Sequence, residues 1–190
     1  AGSLHSLALL QNGTVVAWGD STFGQSTVPG SLTGVTAIAA GESHSLALSA
    51  GTVVAWGSNA AGQTTVPTAA LSGMTAIAAG WNHSLALKSD GTVLAWGLNT
   101  GGQCTVPADL SGVIGIGAGD TYSLALKSDG TLVAWGFEAP VDPVTIVPGG
   151  ATEVASIAAG GAHALALRAE TVPVEFASLD YAGRLGIGRD

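Results

Sequence analysis

The strongest constraint on this chain is a repeat of about 39 residues. One unit runs from Gly73 to Pro107 and reads GMTAIAAGWNHSLALKSDGTVLAWGLNTGGQCTVP. The same point of each unit carries a histidine or a tyrosine, at His5, His44, His83, Tyr122 and His163. An Ala-Trp-Gly motif follows in four units, at Trp18, Trp56, Trp96 and Trp135. A period in this range is typical of repeat architectures, in which each unit buries its apolar residues against its neighbours.

Each unit contains short apolar segments separated by turn residues. In the second unit they are Val35 to Gly41, His44 to Leu48 and Thr52 to Gly57, and Gly62 to Pro67 is expected to descend as a short outer strand. Asn-Gly and Asp-Gly dipeptides supply tight hairpins between the second and third strands. The sequence therefore predicts an all-β fold: a β-propeller of repeated three- to four-stranded blades, with about five recognisable units and incomplete ends.

The repeats extend over residues 1–168, and repetition ends in residues 169–190. We expect that last segment to be a closing strand or a tail, with residues 171–176 (TVPVEF) as an edge strand. Five units make a small ring. Closure by the C-terminal end, further blades, and self-association with a second chain to complete the ring are three open alternatives.

Composition narrows the classes of partner. Thirteen acidic residues against five basic ones give a net charge of −8, which leaves little cationic surface for a nucleic acid. No apolar run is long enough to span a membrane as a helix, so no membrane insertion is expected. The few lysines, many glycines and low isoelectric point favour a secreted or cell-surface location. Cys104 is the only cysteine, which excludes an intrachain disulfide.

The repeated polar residues favour structural roles. Equivalent histidines are separated by rotation around a propeller, so we expect each to anchor its own strand through a hydrogen bond to a neighbouring loop rather than share a metal. The repeated tryptophans are expected in the core. The Asp-Gly pairs are turn chemistry, because one carboxylate per turn is too few for calcium. We expect no catalytic residues, no metal, no cofactor and no enzymatic activity.

The residues that vary between the units are more informative about function than the residues that repeat. The two residues before each histidine position and the residues after each Trp-Gly differ from unit to unit, and antiparallel strand order places both sets on one face. A constant scaffold with variable loops suits a binding platform. Trp81 is large and lies outside the packing register, so it is the principal candidate. The other candidate protein-binding residues are Asn82, Glu42, Asp120, Phe23 and Leu98.

The pattern AIAAGxxHSLALKSDGTVxAWGxNxxGQ is found at residues 37–63 and 76–103 and, less completely, at residues 116–136. These units resemble repeats of the regulator-of-chromosome-condensation family. The tract GQTTVP at residues 62–67 and the Leu-Ser-Gly at residues 71–73 resemble a bacterial branch that includes β-lactamase inhibitory propellers. The resemblance implies a seven-bladed ring, in a family whose members act as nucleotide-exchange factors, inhibitors and adhesion modules. We therefore expect a propeller that binds a macromolecule, foremost a protein, with nucleotide exchange on a small GTPase as the weakest option. Inhibition of a secreted enzyme such as a class A β-lactamase, and a structural or adhesion segment of a larger surface protein, are the alternatives.

Overall fold

The computed structural model describes residues 1–136 and 153–168, together with two further backbone strands at 176–179 and 185–188. These residues form five antiparallel sheets. Sheet 1 contains β1 (His5–Leu9) and β2 (Val15–Gly19). The other sheets are sheet 2 with β3 (Val35–Ala40), β4 (His44–Ser49) and β5 (Thr52–Gly57); sheet 3 with β6 (Met74–Ala79), β7 (His83–Lys88) and β8 (Val93–Gly97); sheet 4 with β9 (Val113–Ala118), β10 (Tyr122–Lys127) and β11 (Leu132–Gly136); and sheet 5 with β12 (Val154–Ala159), β13 (Ala164–Arg168), β14 (Phe176–Leu179) and β15 (Leu185–Gly188). The predicted all-β propeller of repeated blades is confirmed.

Tight hairpins join the second and third strands, as the sequence predicts. Gly91 and Gly130 have φ values of 84° and 78°, which glycine adopts without strain. The second unit is shorter by one residue: Ser49 pairs directly with Thr52, and the two residues between them both have positive φ. That geometry is a two-residue turn of the type that matches the twist of paired strands. The pairing of β4 with β5 therefore continues without a break from His44 to Ser49.

The predicted outer strand from Gly62 to Pro67 is wrong. The segment forms consecutive turns, in which Gly62 N donates to Asn59 O and Thr65 N donates to Gly62 O. The Asn59 side chain reinforces these turns by accepting from Thr64 N at 3.0 Å. A short 3₁₀ helix at Thr68–Ala70 follows. Because local hydrogen bonds satisfy this backbone, sheets 2, 3 and 4 each have three strands.

The core lies between consecutive sheets. Leu46 and Leu48 of sheet 2 pack with Trp96 of sheet 3 in one apolar cluster, and equivalent clusters join the other neighbours. Three of the four repeated tryptophans are buried as predicted. Trp18 is the exception, with 54% of its surface exposed, because no sheet packs on that face of sheet 1 in the described structure.

At the C-terminal end, β14 pairs with β13 and β15 pairs with β14, so both strands extend sheet 5 rather than sheet 1. The expected edge strand at residues 171–176 lies almost entirely outside the described residues. Within the described residues, the model contains no helix with the length and apolar character needed to cross a membrane.

Candidate functional site

A repeated hydrogen-bond junction joins neighbouring sheets beneath the loops. His44 Nε2 lies 3.1 Å from Ser84 Oγ of the next sheet. Ser84 Oγ donates to the carbonyl of Gln63 at 2.9 Å, and Trp96 Nε1 donates to the same carbonyl at 2.9 Å. Since the serine proton is directed at the carbonyl, His44 Nε2–H is the donor to the serine oxygen. Matching junctions link His5 to Ser45 and His83 to Ser123.

The junction corrects the expected role of the histidines. The sequence predicts a bond to a neighbouring loop, whereas the partner is the serine of the next sheet's middle strand. The pKa of His44 and of His83 is lowered to about 4, mainly by burial and, for His44, in second place by the neighbouring His83. Both rings are therefore neutral at pH 7. Gly41 makes room for the His44 ring, which an added Cβ would overlap.

Tyr122 replaces the histidine in the junction between sheets 4 and 5. The serine position of sheet 5 is Ala164, which has no hydroxyl to accept a bond. The Tyr122 hydroxyl instead donates to the carbonyls of Gly160 and His163. The histidine and the serine have thus changed together, which supports a structural role for this position.

Strand register places the variable loops at one end of the propeller, as the sequence predicts. His44 at the start of β4 pairs with Gly57 at the end of β5. Backbone bonds then connect the two loops of each unit: Ser58 N donates to Ser43 O and Leu98 N donates to Asn82 O, both at 2.8 Å. We call this end of the molecule the loop face. It contains all six residues predicted to bind a protein.

At the centre of the loop face lies a cavity of about 320 Å³. Its lining is mainly Gly and Ala from the ends of the first strands, and it includes three of the predicted residues, Glu42, Trp81 and Asp120. Backbone bonds run from loop to loop around it: Glu42 N donates to Trp81 O, Trp81 N to Gly119 O, and Asp120 N to Gly161 O. Hydrogen bonds between the loops therefore fix the backbone of the site, and few of its residues have a large side chain.

The predicted residues differ in what they offer a partner. Trp81 is 43% exposed and Asp120 is exposed, whereas Glu42 is half-buried. Asn82 is held by the fold, because its Oδ1 accepts from Gln63 Nε2 at 3.1 Å and its Nδ2 donates to Glu42 Oε2 at 3.3 Å. Asn82 thus orients Glu42 beside the cavity.

Phe23 and Leu98 are outside the cavity lining. Phe23 is 58% exposed in the loop that follows β2. Leu98 is half-buried in the loop that follows β8, and its carbonyl lies 3.2 Å from Cys104 Sγ. The structure therefore brings together three of the six predicted residues and leaves these two on the surrounding loops.

Sequence reasoning missed the glutamines that support the loop face. Gln25, Gln63 and Gln103 are fully buried, and each accepts a bond from a loop backbone at 2.9 Å through its side-chain oxygen. Each of these glutamines follows a glycine at the same point of its unit, and this recurrence could have identified them from the sequence. Gln103 differs in one respect, because its Nε2 has no partner among the described residues.

No group of three or more His, Cys, Asp or Glu side chains is placed to hold a metal ion among the described residues. Burial raises the pKa of the Cys104 thiol to about 11, so it is protonated at neutral pH. The cavity thus offers an aromatic side chain and two carboxyl groups on an otherwise small-residue surface.

Solved structures share this fold. The ectodomain of the Physcomitrella patens receptor kinase CR4 is similar with a TM-score of 0.75 and 23% identity, over 94% of this chain and 51% of that one. Human WBSCR16 has a TM-score of 0.73 and 22% identity, over 99% and 63% of the two chains. Prp20p from Saccharomyces cerevisiae, described with its binding to Gsp1p and histones, has a TM-score of 0.72 and 24% identity, over 93% and 56%.

The chain thus spans between about half and two thirds of the length of these relatives. A search of the curated proteins found no match. A family model does match the sequence: the regulator of chromosome condensation (RCC1) repeat is recognised at residues 1–25, 35–63 and 74–103. These segments contain sheets 1, 2 and 3 together with their buried glutamines. The first three units of this chain are therefore similar in sequence to the regulator of chromosome condensation (RCC1) repeat.

Proposed function

We propose that this chain is a non-enzymatic interaction propeller that binds a partner protein through the loop face. The observation that carries the proposal is the cavity at the centre of that face, where Trp81, Glu42 and Asp120 converge on a lining of Gly and Ala. Trp81 has 43% of its surface exposed, unlike the three buried tryptophans of the repeat. A large aromatic residue beside a cavity is a typical anchor in protein interfaces.

Charge favours a basic partner surface. The chain has a net charge of −8, and the cavity presents Glu42 and Asp120 without a basic side chain in its lining. The same charge disfavours nucleic acid. The similar protein Prp20p is described with its binding to Gsp1p and histones. That relative supports the use of this fold for protein binding, whereas the identity of the partner here rests on experiment.

A narrower form of the proposal is inhibition of a secreted enzyme such as a class A β-lactamase. A rigid loop face with one exposed tryptophan is suited to covering an active-site entrance. A titration of the chain against a panel of these enzymes, with a chromogenic substrate, tests this form. Stoichiometric loss of hydrolysis is the expected result for an inhibitor, and unchanged hydrolysis at micromolar protein rejects it for that panel. A secreted or surface location, with use as an adhesion segment, is the remaining alternative.

The general proposal is tested by a photo-crosslinking residue at position 81, matched to one at position 71. Leu71 is 48% exposed, and its carbonyl accepts from Thr52 at the opposite end of sheet 2. Proteins captured from position 81 alone are then purified and titrated. We expect Trp81→Ala to weaken binding by more than about 1 kcal/mol and Leu71→Ala to have no effect. Equal affinity of both variants and the native chain would reject the loop face as the binding surface.

A further inference from the structure

The turn between β1 and β2 contains an asparagine where two other units contain an aspartate. Asn12 occupies this turn in the first unit, and Asp90 and Asp129 occupy the equivalent turns of the third and fourth units, each followed by a glycine. All three residues are exposed, at the end of the sheets opposite to the loop face. Exposure is thus a property of the repeated turn, since it is the same in interior units.

All three turns hold this side chain in the same way. Its Oδ1 accepts from the backbone N–H two residues later, at 3.0 Å for Asn12, 2.9 Å for Asp90 and 3.0 Å for Asp129. An amide and a carboxylate both provide such an oxygen. The first turn would therefore keep this hydrogen bond if the Asn12 side chain became a carboxylate.

The residue after Asn12 provides a nucleophile for that conversion. Gly13 has no side chain to shield its backbone nitrogen. The bond from Thr14 N draws the Asn12 side chain back towards this peptide. Gly13 N itself donates to Leu10 O at 2.9 Å, so it becomes reactive when the exposed turn opens locally. Because the nitrogen and the side-chain amide are neighbours in one chain, their reaction is intramolecular and is favoured by proximity.

We propose that Asn12 is a site of spontaneous covalent modification, in which its side-chain amide is converted to a carboxylate through a cyclic imide. Hydroxide takes the proton of Gly13 N, which then bonds to Asn12 Cγ. The Cγ–Nδ2 bond breaks, and the leaving nitrogen takes a proton from water and departs as ammonia. Water next opens the imide, with its hydroxyl bonding to a carbonyl carbon and its proton returning to Gly13 N.

The imide can open in two ways, and the two products should affect the fold differently. Cleavage at Cγ gives aspartate, which reproduces the turns of the third and fourth units. Cleavage at the Asn12 backbone carbonyl gives isoaspartate, which lengthens the main chain inside a turn that Leu10 N closes by donating to Thr14 O at 2.8 Å. Isoaspartate also displaces Gly13 O, which accepts from Val35 N at 3.2 Å and links the turn to sheet 2.

Stability should therefore separate the products. Isoaspartate should lower the melting temperature, whereas aspartate should leave it unchanged. A thermal melt of aged protein against the Asn12→Asp variant, which contains the first product alone, measures the difference. Equal melting temperatures, in an aged sample shown to contain isoaspartate, would contradict the expected effect of that product on the turn.

Three other asparagines provide internal controls. Asn59, Asn82 and Asn99 are followed by alanine, histidine and threonine, whose side chains crowd the next backbone nitrogen. The amide oxygen and the amide nitrogen of Asn82 are also both bonded. These three residues should keep their amides for longer than Asn12.

Timed incubation of the native 190-residue chain in mildly alkaline buffers, followed by proteolysis and mass spectrometry, tests the proposal. The peptide that contains Asn12 should gain the mass that separates a hydroxyl from an amino group, at a rate that rises in proportion to hydroxide. An isoaspartate-specific methyltransferase should label the same peptide. We expect the rates at the three control asparagines to be several-fold lower. An unchanged mass at Asn12, or a rate no faster than at the controls, overturns the proposal.

Two variants test the chemistry and the turn separately, and neither depends on the proposed function. Asn12→Gln lengthens the side chain beyond the geometry that closes the imide ring, so it should stop the reaction on this timescale. Asp90→Asn places the same dipeptide in an interior unit, where it should return to aspartate with time. Both are at exposed turn positions, and circular dichroism checks the fold. An equal mass gain in the Asn12→Gln variant, or a stable amide at position 90, overturns the mechanism.

Discussion

Sheet 1 and sheet 2 contain nearly the same sequence but bury it to different extents. His5–Leu9 and the first five residues of β4 both read HSLAL, and each is followed by a strand that contains Val-Val-Ala-Trp-Gly. Trp56 is nevertheless buried, whereas Trp18 is 54% exposed. Trp56 Nε1 donates to the Gln25 carbonyl of the preceding unit, whereas none of the described sheets covers the Trp18 ring.

The comparison shows that a repeat residue owes its burial to the neighbouring unit and not to its own sequence. Stability in such proteins is close to a sum of unit terms and nearest-neighbour interface terms. The same side chain should therefore contribute strongly to the free energy of unfolding inside the array of sheets and weakly at its edge. Each of the following predictions tests that difference at a named junction.

The largest effect is expected from removing a buried tryptophan. Trp56→Ala should lower the free energy of unfolding by about 3–5 kcal/mol, because it leaves a cavity between sheets 1 and 2 and removes the donor to Gln25. Trp18→Ala should lower it by less than about 1 kcal/mol, since that side chain is largely exposed. Urea denaturation followed by circular dichroism measures both. Equal losses for both variants in dilute solution would contradict the difference between edge and interior.

The buried histidines should make the internal junctions sensitive to acid. The pKa of His44 and of His83 is about 4 in the folded chain and 6.5 as an ordinary value, so the unfolded chain binds more protons between these limits. The free energy of unfolding should therefore decrease as pH falls from about 6.5 towards 4. Each ring contributes up to about 3 kcal/mol of this decrease. Urea denaturation at a series of pH values between 7 and 4.5 measures the slope.

The matched variant for this prediction is His44→Gln with His83→Gln. The amide side chain keeps a donor for the serine but does not titrate in this range. The variant should be less stable at pH 7 and show a shallower pH dependence. An unchanged slope would mean that other groups dominate the acid sensitivity. Asp90 and Asp129, whose pKa values are lowered by hydrogen bonds from threonines in the same turns, lose their stabilising charge only at lower pH.

An intermediate effect is expected where the junction has changed its chemistry. Tyr122→His alone should destabilise the chain by about 1–2 kcal/mol, because it removes the bonds to the Gly160 and His163 carbonyls and faces Ala164. Adding Ala164→Ser should recover part of that loss by restoring the internal pairing. A double-mutant cycle in urea measures the coupling. Additive effects of the two substitutions would show that this position does not pair across the junction.

The sequence was sufficient for much of this fold. Period, strand positions and hairpins followed from the recurrence of HSLAL, Asp-Gly and Ala-Trp-Gly, and the common end of the variable loops followed from antiparallel order. The outer strand at Gly62 to Pro67 was wrong, because the Asn59 side chain and local turns satisfy that backbone. A strand-like sequence pattern does not show whether side chains and local turns will satisfy the backbone in place of a neighbouring strand.

The candidate site was less accessible to sequence reasoning. Trp81, Glu42 and Asp120 could be selected because they vary in an otherwise constant unit, and the structure places them around one cavity. The structural use of Asn82 was not predictable, since it depends on Gln63 and Glu42, which both belong to the preceding unit. The exposure of Trp18 was missed for the same reason, because the contacts of a residue with other units cannot be predicted from the sequence around it.

The smallest effect concerns Gln103, whose Nε2 lacks the partner that the equivalent glutamines have. Gln63 Nε2 donates to Asn82, and Gln25 Nε2 donates to Asp20 at 2.7 Å. Thr121 is equivalent to Asn82. Thr121→Asn should therefore supply the missing acceptor and raise the free energy of unfolding by about 0.5–1 kcal/mol.

Two further variants decide whether this gain comes from the glutamine. Ser43→Asn makes the same kind of change before His44, where Gln25 already has Asp20 as its acceptor, so no gain is expected there. Asn82→Thr makes the reverse change and should cost about 1 kcal/mol, because it leaves Gln63 Nε2 buried without an acceptor. Urea denaturation of the three variants measures these differences. A similar gain from Thr121→Asn and Ser43→Asn would assign the effect to the loop residue itself, whereas a gain confined to Thr121→Asn would assign it to the new acceptor for Gln103 Nε2.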